Sequence, residues 1–333
     1  MMKLTVAIPN YNGGENLKRS IESCKWIKVP RNDYEILIAD NKSTDDSIDI
    51  VNDMKKEFTN IRLIQNETNL GRIQNWNIVI EKTQSKYLIF LFSNDLINEE
   101  NNIHEVLQNL DSDETISMCV SSLLKKEKSQ QYVKKSYFDK IIKCSSKKFA
   151  SNCLNRGLLP FGPIQSIIYR IDDIKNNSNK FLEEFPINAD EIFSFEESCK
   201  RDNIMFNPYP QITWDLTKGR FHGKVKIEDE FKEHSDTIEI IKQKTNLDVN
   251  YGLISTYRAI NFIKFSAKNF QHKDGKKQAI SHLLSKIKES GTFFNTDKIL
   301  IKTLFDKLKN SDKDADDLLH KLIIARCIDE SKK

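Results

Sequence analysis

Short apolar runs alternate with amphipathic segments over the first third of the chain. Runs rich in β-branched and aromatic residues predict four strands, at residues 3–8, 34–39, 61–64 and 87–92. Apolar positions at helical spacing predict three helices between them, over 15–24, through 48–54 and over 76–82. Strands that alternate with helices indicate βαβ units. The predicted fold class is therefore α/β, with a mainly parallel sheet flanked by helices.

The last third of the chain has a different pattern. Prolines end at Pro210, and apolar residues recur at helical spacing in several stretches between 253 and 323. We predict an all-helical C-terminal region over 225–333, following an α/β domain over 1–224 whose halves are 1–110 and 111–224. In the second half, the basic, Ser-rich connection 125–148 is expected to be a loop over the site.

Polar clusters follow three of the predicted strands directly. They are 10–12 after the first strand, 40–45 after the second and 93–95 after the fourth. Ligands of open parallel sheets bind outside the carboxyl ends of the strands, so these clusters predict a binding crevice. The chain lacks both the G-x-G-x-x-G fingerprint and the phosphate-binding P-loop. Carboxylate and amide oxygens at strand ends instead favour a nucleoside diphosphate held through a divalent cation.

Four segments in this order resemble the successive motifs of glycosyltransferase family 2. They are residues 6–12 (VAIPNYN), 38–47 (IADNKSTDDS), 69–72 (NLGR) and 90–95 (FLFSND). The resemblance is strong over about 3–110 and weaker over 155–223. It implies the GT-A fold and the transfer of a sugar from a nucleotide donor to an acceptor hydroxyl, with inversion at the anomeric carbon.

The resemblance also implies roles for residues of the donor site. Pro9 and Tyr11 would pack against the donor base, and Asp40 would bind its ring edge. Arg72 would reach the diphosphate. Asp95 would hold a magnesium or manganese ion (Mg²⁺ or Mn²⁺) that bridges the donor phosphates.

The acidic motif after the fourth strand departs from the family pattern. The family commonly has D-x-D-D or S-D-D-D, whereas this chain has Phe92, Ser93, Asn94 and Asp95. This chain has one carboxylate where the family commonly has two. Asn94 is counted among the donor-binding residues, but it offers only an amide oxygen. The affinity for a divalent metal ion falls when the ligands carry less negative charge. A weaker metal site, or a donor of the CMP-sugar type, is therefore left open.

Two later segments supply the remaining candidate residues. In 186–193 (PINADEIF), Asp190 at a helix start matches the family's catalytic base, and Glu191 is the alternative. A base is needed because a sugar hydroxyl is a poor nucleophile until its proton is removed. In 219–223 (GRFHG), His222 matches a family residue that closes the metal site or contacts the diphosphate.

Purely structural interpretations of these residues stay open. Asp40 and Asp45 precede a helix and are good N-cap residues, as is Asp190. Arg72 follows a glycine and could be a solvated turn residue, and His222 could have a structural role in a glycine-flanked turn.

Composition and charge narrow the function class. The net charge of +4 is too small to indicate nucleic acid binding, and no run approaches the roughly 18 apolar residues of a membrane span. The six cysteines have no C-x-x-C spacing and the N-terminus has no secretory signal, which predicts reduced thiols in a cytoplasmic protein.

We therefore expect a cytoplasmic, metal-dependent glycosyltransferase that acts on a glycan or lipid-linked saccharide in surface-glycan assembly. A peripheral contact with the membrane through 241–310 and a homo-oligomer are left open. The alternatives are a non-catalytic module that binds sugar nucleotides or glycans and, less favoured, a nucleotidyltransferase.

The charge of the C-terminal region yields one prediction. Residues 241–310 carry 14 Lys and Arg against 5 Asp and Glu, a net charge of +9. We expect the protein to co-sediment with anionic vesicles at low salt and to dissociate as salt screens the charges, over a Debye length of about 8 Å at physiological ionic strength. Neutral phosphatidylcholine vesicles are the control. No co-sedimentation at low salt would contradict the prediction.

Overall fold

A computed structural model describes residues 2–126, 132–135, 139–156, 158–215, 227–247, 324 and 327–332. Two compact units share the chain. The first comprises 1–147 and 161–224, and the second comprises 148–160 and 225–333. Among the described residues, no helix combines the length and apolarity that crossing a bilayer requires.

The first half of unit one alternates strands and helices as the apolar pattern predicts. The strands are β1 Leu4–Asn10, β2 Tyr34–Asp40, β3 Ile61–Gln65, β4 Tyr87–Phe90 and the short β5 Leu96–Ile97. The helices are α1 Gly14–Ser23, α2 Ser47–Met54, α3 Arg72–Lys82 and α4 Ile103–Ser112, with 3₁₀ turns at Cys24–Trp26 and Arg31–Asp33. Every residue of β2 and β4 is buried, as in strands covered on both faces.

The second half of unit one adds strands to the main sheet and completes a second, smaller sheet. The strands are β6 Ile116–Ser121, β7 Leu123–Lys126, β8 Tyr132–Lys135, β9 Ile142–Ser145, β10 Ile167–Arg170, β11 Asn203–Asn207 and β12 Ile212–Asp215. The helices are α5 Ser146–Leu154, which continues into unit two, α6 Ile171–Asn176 and α7 Ala189–Ser198, with a 3₁₀ turn at Ile164–Ser166.

The strands form two sheets. The main sheet has the order β3-β2-β1-β4-β10-β6-β11-β9. In it β1 pairs in parallel with β2 and β4, whereas β10 runs antiparallel to both β4 and β6. The smaller sheet has the order β5-β12-β7-β8. The predicted α/β class with a mainly parallel sheet is thus confirmed.

A buried arginine joins the two halves of the main sheet. Arg170, at the end of β10, donates from Nε to the Ile116 carbonyl oxygen at 2.7 Å and from Nη1 to Tyr87 Oη at 3.3 Å. Its Nη2 donates to the carbonyl oxygens of Leu110 and Asp113 at the end of α4. A buried guanidinium is tolerated only when its N–H groups are paired. Arg170 therefore fixes α4 and β6 against the β4–β10 pair.

Two expectations from the sequence need correction. The third helix begins at Arg72 rather than Trp76, because Gly71 provides the turn that starts it with a φ of 80°. The expected loop at 125–148 contains the strands β8 and β9, and β9 pairs with β11. The local excess of lysine and serine masked the short β-forming stretches within it.

The regular elements described in unit two are helices. Helix α8 spans Ile227–Thr245, and residues 327–331 are helical. The latter contact α5 through an Asn152 Nδ2 to Ser331 Oγ hydrogen bond of 3.2 Å and an Arg156–Glu330 ion pair of 3.1 Å. The rest of the predicted all-helical region, including most of 241–310, lies outside the described residues.

A buried carboxylate on α7 predicts a dependence of stability on pH. Glu197 is buried beside Asn179, whose Nδ2 donates to Glu197 Oε1 at 2.8 Å. Loss of solvation raises the pKa of Glu197 from 4.5 to about 7. The native state thus keeps a proton that the unfolded chain releases between pH 4.5 and 7, so the free energy of unfolding falls as pH rises through this window.

We expect Glu197→Gln to remove this slope while keeping an acceptor for Asn179. The free energy of unfolding, measured with urea, should change between pH 5 and pH 8 by about 2–3 kcal/mol less in the variant than in the wild type. Glu184→Gln, at an exposed glutamate ahead of α7, is the control and should keep the wild-type slope. A wild-type slope in Glu197→Gln would show that the titration lies elsewhere.

Candidate active site

A cavity of about 400 Å³ opens at the carboxyl ends of the parallel strands in unit one. It is lined by Pro9, Asn10, Tyr11, Asn41, Asn69, Arg72, Asn75, Trp76, Phe92, Ser93, Asn94, Pro163, Gln165, Asp190 and Trp214. Five sequence-predicted residues meet there: Pro9, Tyr11, Arg72, Asn94 and Asp190. Asp40, Asp95 and Glu191 do not line it. His222 lies outside the described residues.

The loop after β1 forms one wall of the cavity and is held by the start of α2. Ser47 Oγ accepts the backbone N–H groups of Gly13 and Gly14, both at 3.1 Å. A Cβ at Gly13 would lie 2.2 Å from Asn10 Oδ1, so any other residue at this position would force the Asn10 side chain to move. The tight turn leaves Tyr11 about half exposed at the cavity mouth.

Asp40 lies beneath this wall, and its carboxylate holds the strand-end loops. Its Oδ1 accepts from Asn10 Nδ2 at 2.9 Å and from Ser43 Oγ at 2.6 Å, and Oδ2 accepts from the Ser43 N–H at 3.0 Å. Asp45, not Asp40, accepts the Ser47 N–H at the start of α2, at 3.1 Å. Asp40 is 1% exposed, and its binding of the donor ring edge stays a prediction.

Asn41, the next residue, fixes the loop that leads to Arg72. Its Nδ2 donates to Asn69 Oδ1 at 2.9 Å and to the Gly71 carbonyl oxygen at 3.2 Å. Its Oδ1 accepts from Asn66 Nδ2 at 3.0 Å and from the Leu70 N–H at 2.9 Å. The buried carboxamide thus uses both ends to set where α3 begins, and with it the position of Arg72.

Arg72 lines the cavity from the first turn of α3. Its guanidinium carbon lies 4.6 Å from the centre of the Trp76 ring, and Nη2 donates to the Pro186 carbonyl oxygen ahead of α7. The stack on an aromatic face and the hydrogen bond to Pro186 both act on the guanidinium group. Arg72 is exposed to solvent and lines the cavity, and its binding of the donor diphosphate stays a prediction.

Asp95 is completely buried below the cavity floor. Its Oδ2 accepts from Gln165 Nε2 and its Oδ1 accepts from the Asp215 N–H, both at 3.0 Å. Loss of solvation raises the pKa of Asp95 to about 8, although the two hydrogen bonds oppose the shift. The carboxyl group in this arrangement joins the turn after β4 to the end of β12.

This arrangement does not fit a divalent cation as it stands. Within the described residues, no group of three His, Cys, Asp or Glu side chains could hold a metal ion. Asp95 uses both oxygens on protein donors, and Asn94 donates its Nδ2 to the Asp215 carbonyl oxygen at 3.2 Å. A cation at Asp95 would have to replace at least one of its hydrogen bonds.

The two candidate bases on α7 occupy different surroundings. Glu191 is buried, and its oxygens accept the backbone N–H groups of Phe161 at 3.0 Å and Gly162 at 2.6 Å. Asp190, in the first turn of α7, is half-buried and lines the cavity. The N-cap position of α7 belongs to Asn188. Of the two carboxylates, only Asp190 reaches the cavity.

Sequence reasoning missed an aromatic wall and a glutamine of this site. The Trp76 and Phe92 rings stack at 5.4 Å between centroids, and both line the cavity with Trp214. Trp76 was interpreted only as the start of a helix, and Phe92 only as a departure from an acidic motif. Gln165 lies within 155–223, where the family resemblance is weaker, and no spacing distinguishes it.

Comparison with known proteins gives a consistent family and fold. A family model described as glycosyl transferase family 2 matches residues 5–175. Poly(ribitol-phosphate) beta-glucosyltransferase of Bacillus spizizenii is 35% identical over 100 residues, which are 30% of this chain and 16% of that protein. The match thus spans about a sixth of that relative's length.

Solved structures extend the likeness to the whole chain. A crystal structure of Staphylococcus aureus TarS residues 1–349 with UDP aligns over 97% of this chain and 90% of that chain, with a TM-score of 0.63 and 16% identity. A mannosyltransferase from Pyrobaculum calidifontis with GDP-Man and Mn²⁺ covers 98% of this chain and 86% of its own, with a TM-score of 0.52 and 12% identity. At these identities the likeness concerns the fold, and it agrees with the GT-A architecture.

The contacts of Glu191 yield a prediction about stability. A glutamine at this position has one side-chain oxygen for the two backbone N–H groups. Its NH₂ group would face the second N–H group, which would then have no acceptor. We expect Glu191→Gln to lower the free energy of unfolding by about 1–3 kcal/mol, measured by urea denaturation. Asp190→Asn is the matched comparison and should cost less than 1 kcal/mol, about the size of a surface substitution. Equal stabilities of the two variants would contradict the anchoring role of Glu191.

Proposed function

The chain belongs to glycosyl transferase family 2, and we propose that it is an inverting hexosyltransferase that uses a nucleotide-diphosphate sugar. One observation carries the proposal. A single cavity at the strand ends brings Pro9, Tyr11 and Arg72 together with Asp190, which a different part of the chain supplies. A donor and an acceptor could therefore meet in this cavity.

The donor half is formed by the loops after β1 and before α3. Pro9 and Tyr11 offer an apolar and aromatic surface for a base, above the network centred on Asp40. Arg72 offers a guanidinium, which suits the paired oxygens of a diphosphate. Asn94 provides an amide at the same end. We propose that these residues bind and orient the nucleotide.

The acceptor half is centred on Asp190. Its carboxylate would remove the proton of the acceptor hydroxyl as that oxygen attacks the anomeric carbon from the face opposite the nucleotide. The new glycosidic C–O bond forms while the bond to the diphosphate oxygen breaks, and the nucleoside diphosphate leaves with the electron pair. Asp190 lies in the first turn of α7, and the helix dipole there favours a negatively charged side chain.

The names of the similar proteins support a finer proposal on substrates. The TarS structures contain UDP and UDP-GlcNAc, so we propose a UDP-sugar as the donor. The curated relative is named for a poly(ribitol-phosphate) acceptor, and we propose a surface-glycan or lipid-linked saccharide acceptor here. Action in the cytoplasm, with a peripheral membrane contact through 241–310, is part of the proposal. Formation of a homo-oligomer is left open.

The metal is a separate part of the proposal. A divalent cation, Mn²⁺ or Mg²⁺, would neutralise the donor phosphates, with Asp95 and His222 as its predicted protein ligands. The Mn²⁺ in the Pyrobaculum neighbour supports it, whereas the hydrogen bonds of Asp95 oppose it.

Asp95→Asn tests the metal because it keeps an acceptor for the Asp215 N–H while removing the charge. We expect the Mn²⁺-stimulated turnover to be at least about 100-fold lower in the variant than in the wild type, because a bound metal ion stabilises the transition state by several kcal/mol. Thermal unfolding checks that the fold is retained. Unchanged metal stimulation would place the cation elsewhere, and turnover without any metal would remove it from the proposal.

The catalytic base is tested by Asp190→Asn. The amide keeps the shape of the side chain but cannot accept the proton, so we expect kcat to fall by a factor of about 10² to 10⁴. Donor affinity, measured by calorimetry with UDP, should change less than about twofold. Asp172→Asn is the control because Asp172 is an exposed acid in the first turn of α6, away from the cavity. It should leave kcat unchanged.

Glu191→Gln separates the two candidate bases. A loss of kcat in this variant with full stability, together with an active Asp190→Asn, would make Glu191 the base. If both variants stay active, the chain does not use this mechanism at α7.

A non-catalytic sugar-nucleotide-binding module is the second candidate. The observation that favours it is the engaged, buried Asp95 where the family places its metal-binding acid. Such a module would bind UDP-sugars in calorimetry but show no hydrolysis or transfer with any added divalent metal. A nucleotidyltransferase is less favoured, because the loop over 10–15 contains two glycines but no cation.

A further inference from the structure

Trp214 contributes a half-buried indole ring to the cavity wall. It comes from β12 of the smaller sheet, where it lies opposite Lys125 of the parallel neighbour β7. Lys125 Nζ lies 5.6 Å from the centre of the indole ring, a distance at which a cation is attracted to an aromatic face. Because Trp214 is not fully buried, part of a large apolar surface is accessible to a ligand in the cavity.

The turn after β4 separates Trp214 from the loop proposed to bind the donor base. Ser93 lies beside that loop, since a Cβ at Gly13 would be 3.2 Å from Ser93 Cβ. At the other end of the turn, Asp95 Oδ1 accepts the N–H of Asp215 at 3.0 Å. Trp214 directly precedes Asp215, so it lies across this turn from the donor loop.

The same end of the cavity is connected to the proposed base. Asp190 Oδ2 lies 3.3 Å from the position that a Cβ at Gly162 would take. Three residues further along the chain, Gln165 Nε2 donates to Asp95 Oδ2 at 3.0 Å. The other oxygen of Asp95 binds the residue that follows Trp214. These contacts group Trp214 with the acceptor half of the cavity and not with the donor loop.

An indole ring at this place suits one part of an acceptor. A sugar ring has a face of C–H groups, and packing of that face on an aromatic ring removes apolar surface from water. We propose that Trp214 is the platform of an acceptor subsite and packs against the apolar face of a cyclic sugar. The inference rests on the proposed function, because it assumes that Asp190 deprotonates a hydroxyl group of this acceptor.

The assignment narrows the acceptor to one chemical class. An open-chain polyol, such as a ribitol unit, has no rigid face of C–H groups to lay on the indole. A polyol in the subsite would also give up hydration of its hydroxyl groups without a matching apolar contact. Trp214 therefore favours an acceptor whose reacting unit is a sugar ring.

The test measures the binding of small probes to the full chain by ligand-observed NMR, with and without saturating UDP. The probes are the methyl β-glycosides of glucose, galactose and N-acetylglucosamine, open-chain glucitol, and ribitol 5-phosphate. For the wild type, we expect at least one glycoside to bind about 10-fold more tightly than glucitol, the size of effect that one apolar ring face supplies. Trp214→Leu should remove this preference, and Trp214→Phe should restore most of it.

Trp26→Leu is the matched control. Trp26 is also partly exposed and also has a lysine at its ring, with Lys25 Nζ 5.1 Å from the ring centre, but it does not line the cavity. This variant should bind every probe as the wild type does. Calorimetry with UDP and UDP-glucose should give the same ratio of affinities in Trp214→Leu as in the wild type, because the ring is assigned to the acceptor and not to the donor sugar.

Three results overturn the inference. The first is a Trp214→Leu variant that binds the glycosides as the wild type does. The second is a wild type that binds no glycoside more tightly than glucitol and ribitol 5-phosphate, and this result decides if Trp214→Leu does not fold. The third is a loss of affinity for UDP-glucose but not for UDP in Trp214→Leu, which would assign the ring to the donor sugar.

Failure of the proposed function gives a different result. A wild type that binds neither UDP nor UDP-glucose overturns the proposed donor. Binding of a glycoside that still depends on Trp214 in that protein would keep the sugar platform without the transferase.

Discussion

The loops that leave the carboxyl ends of parallel strands carry polar groups that need hydrogen-bond partners inside the protein. In this protein side chains at the end of β2 and directly after it supply many of these partners. Asp40 binds Asn10 and Ser43, which joins the loops after β1 and β2. Asn41 binds the loop before α3 with both ends of its amide. The cavity has ordered walls because this requirement is met inside the protein.

The same requirement divides the carboxylates into two groups. Asp40, Asp95 and Glu191 are buried and accept N–H or O–H groups of the loops they hold. Asp190 lines the cavity from the first turn of a helix, where the helix dipole favours a negative charge. A carboxylate that holds loops in place cannot change its protonation or partners without cost to the fold. Chemistry is therefore more compatible with Asp190 than with its neighbour Glu191.

The sequence was most informative where apolar periodicity and strand-end polarity coincide. The run Tyr87–Phe92 predicted a buried strand, and β4 lies there, although it ends at Phe90. The same rules could not separate Asp190 from Glu191, because adjacent residues share a motif and differ only in which way the helix turns them. Gln165 left no signal either. Gln165 donates a hydrogen bond to Asp95, which lies 70 positions away, and such a contact is set by tertiary structure alone.

The charges of the residues that line the cavity bear on whether a metal ion is needed to bind a diphosphate. Among the described lining residues, Arg72 and Asp190 are the charged ones, so the lining itself is close to neutral. A nucleoside diphosphate carries at least two negative charges, and Arg72 can offset only one. The rest must come from a cation or from basic residues that the described cavity does not include. The segment 218–224 contains Lys218, Arg220 and Lys224 beside His222. Positive charge from side chains would leave Asp95 with both of its protein partners. A metal ion at Asp95 would instead have to replace the hydrogen bond from Gln165 or the one from the Asp215 N–H, so a metal ion and the present contacts of Asp95 exclude each other in part.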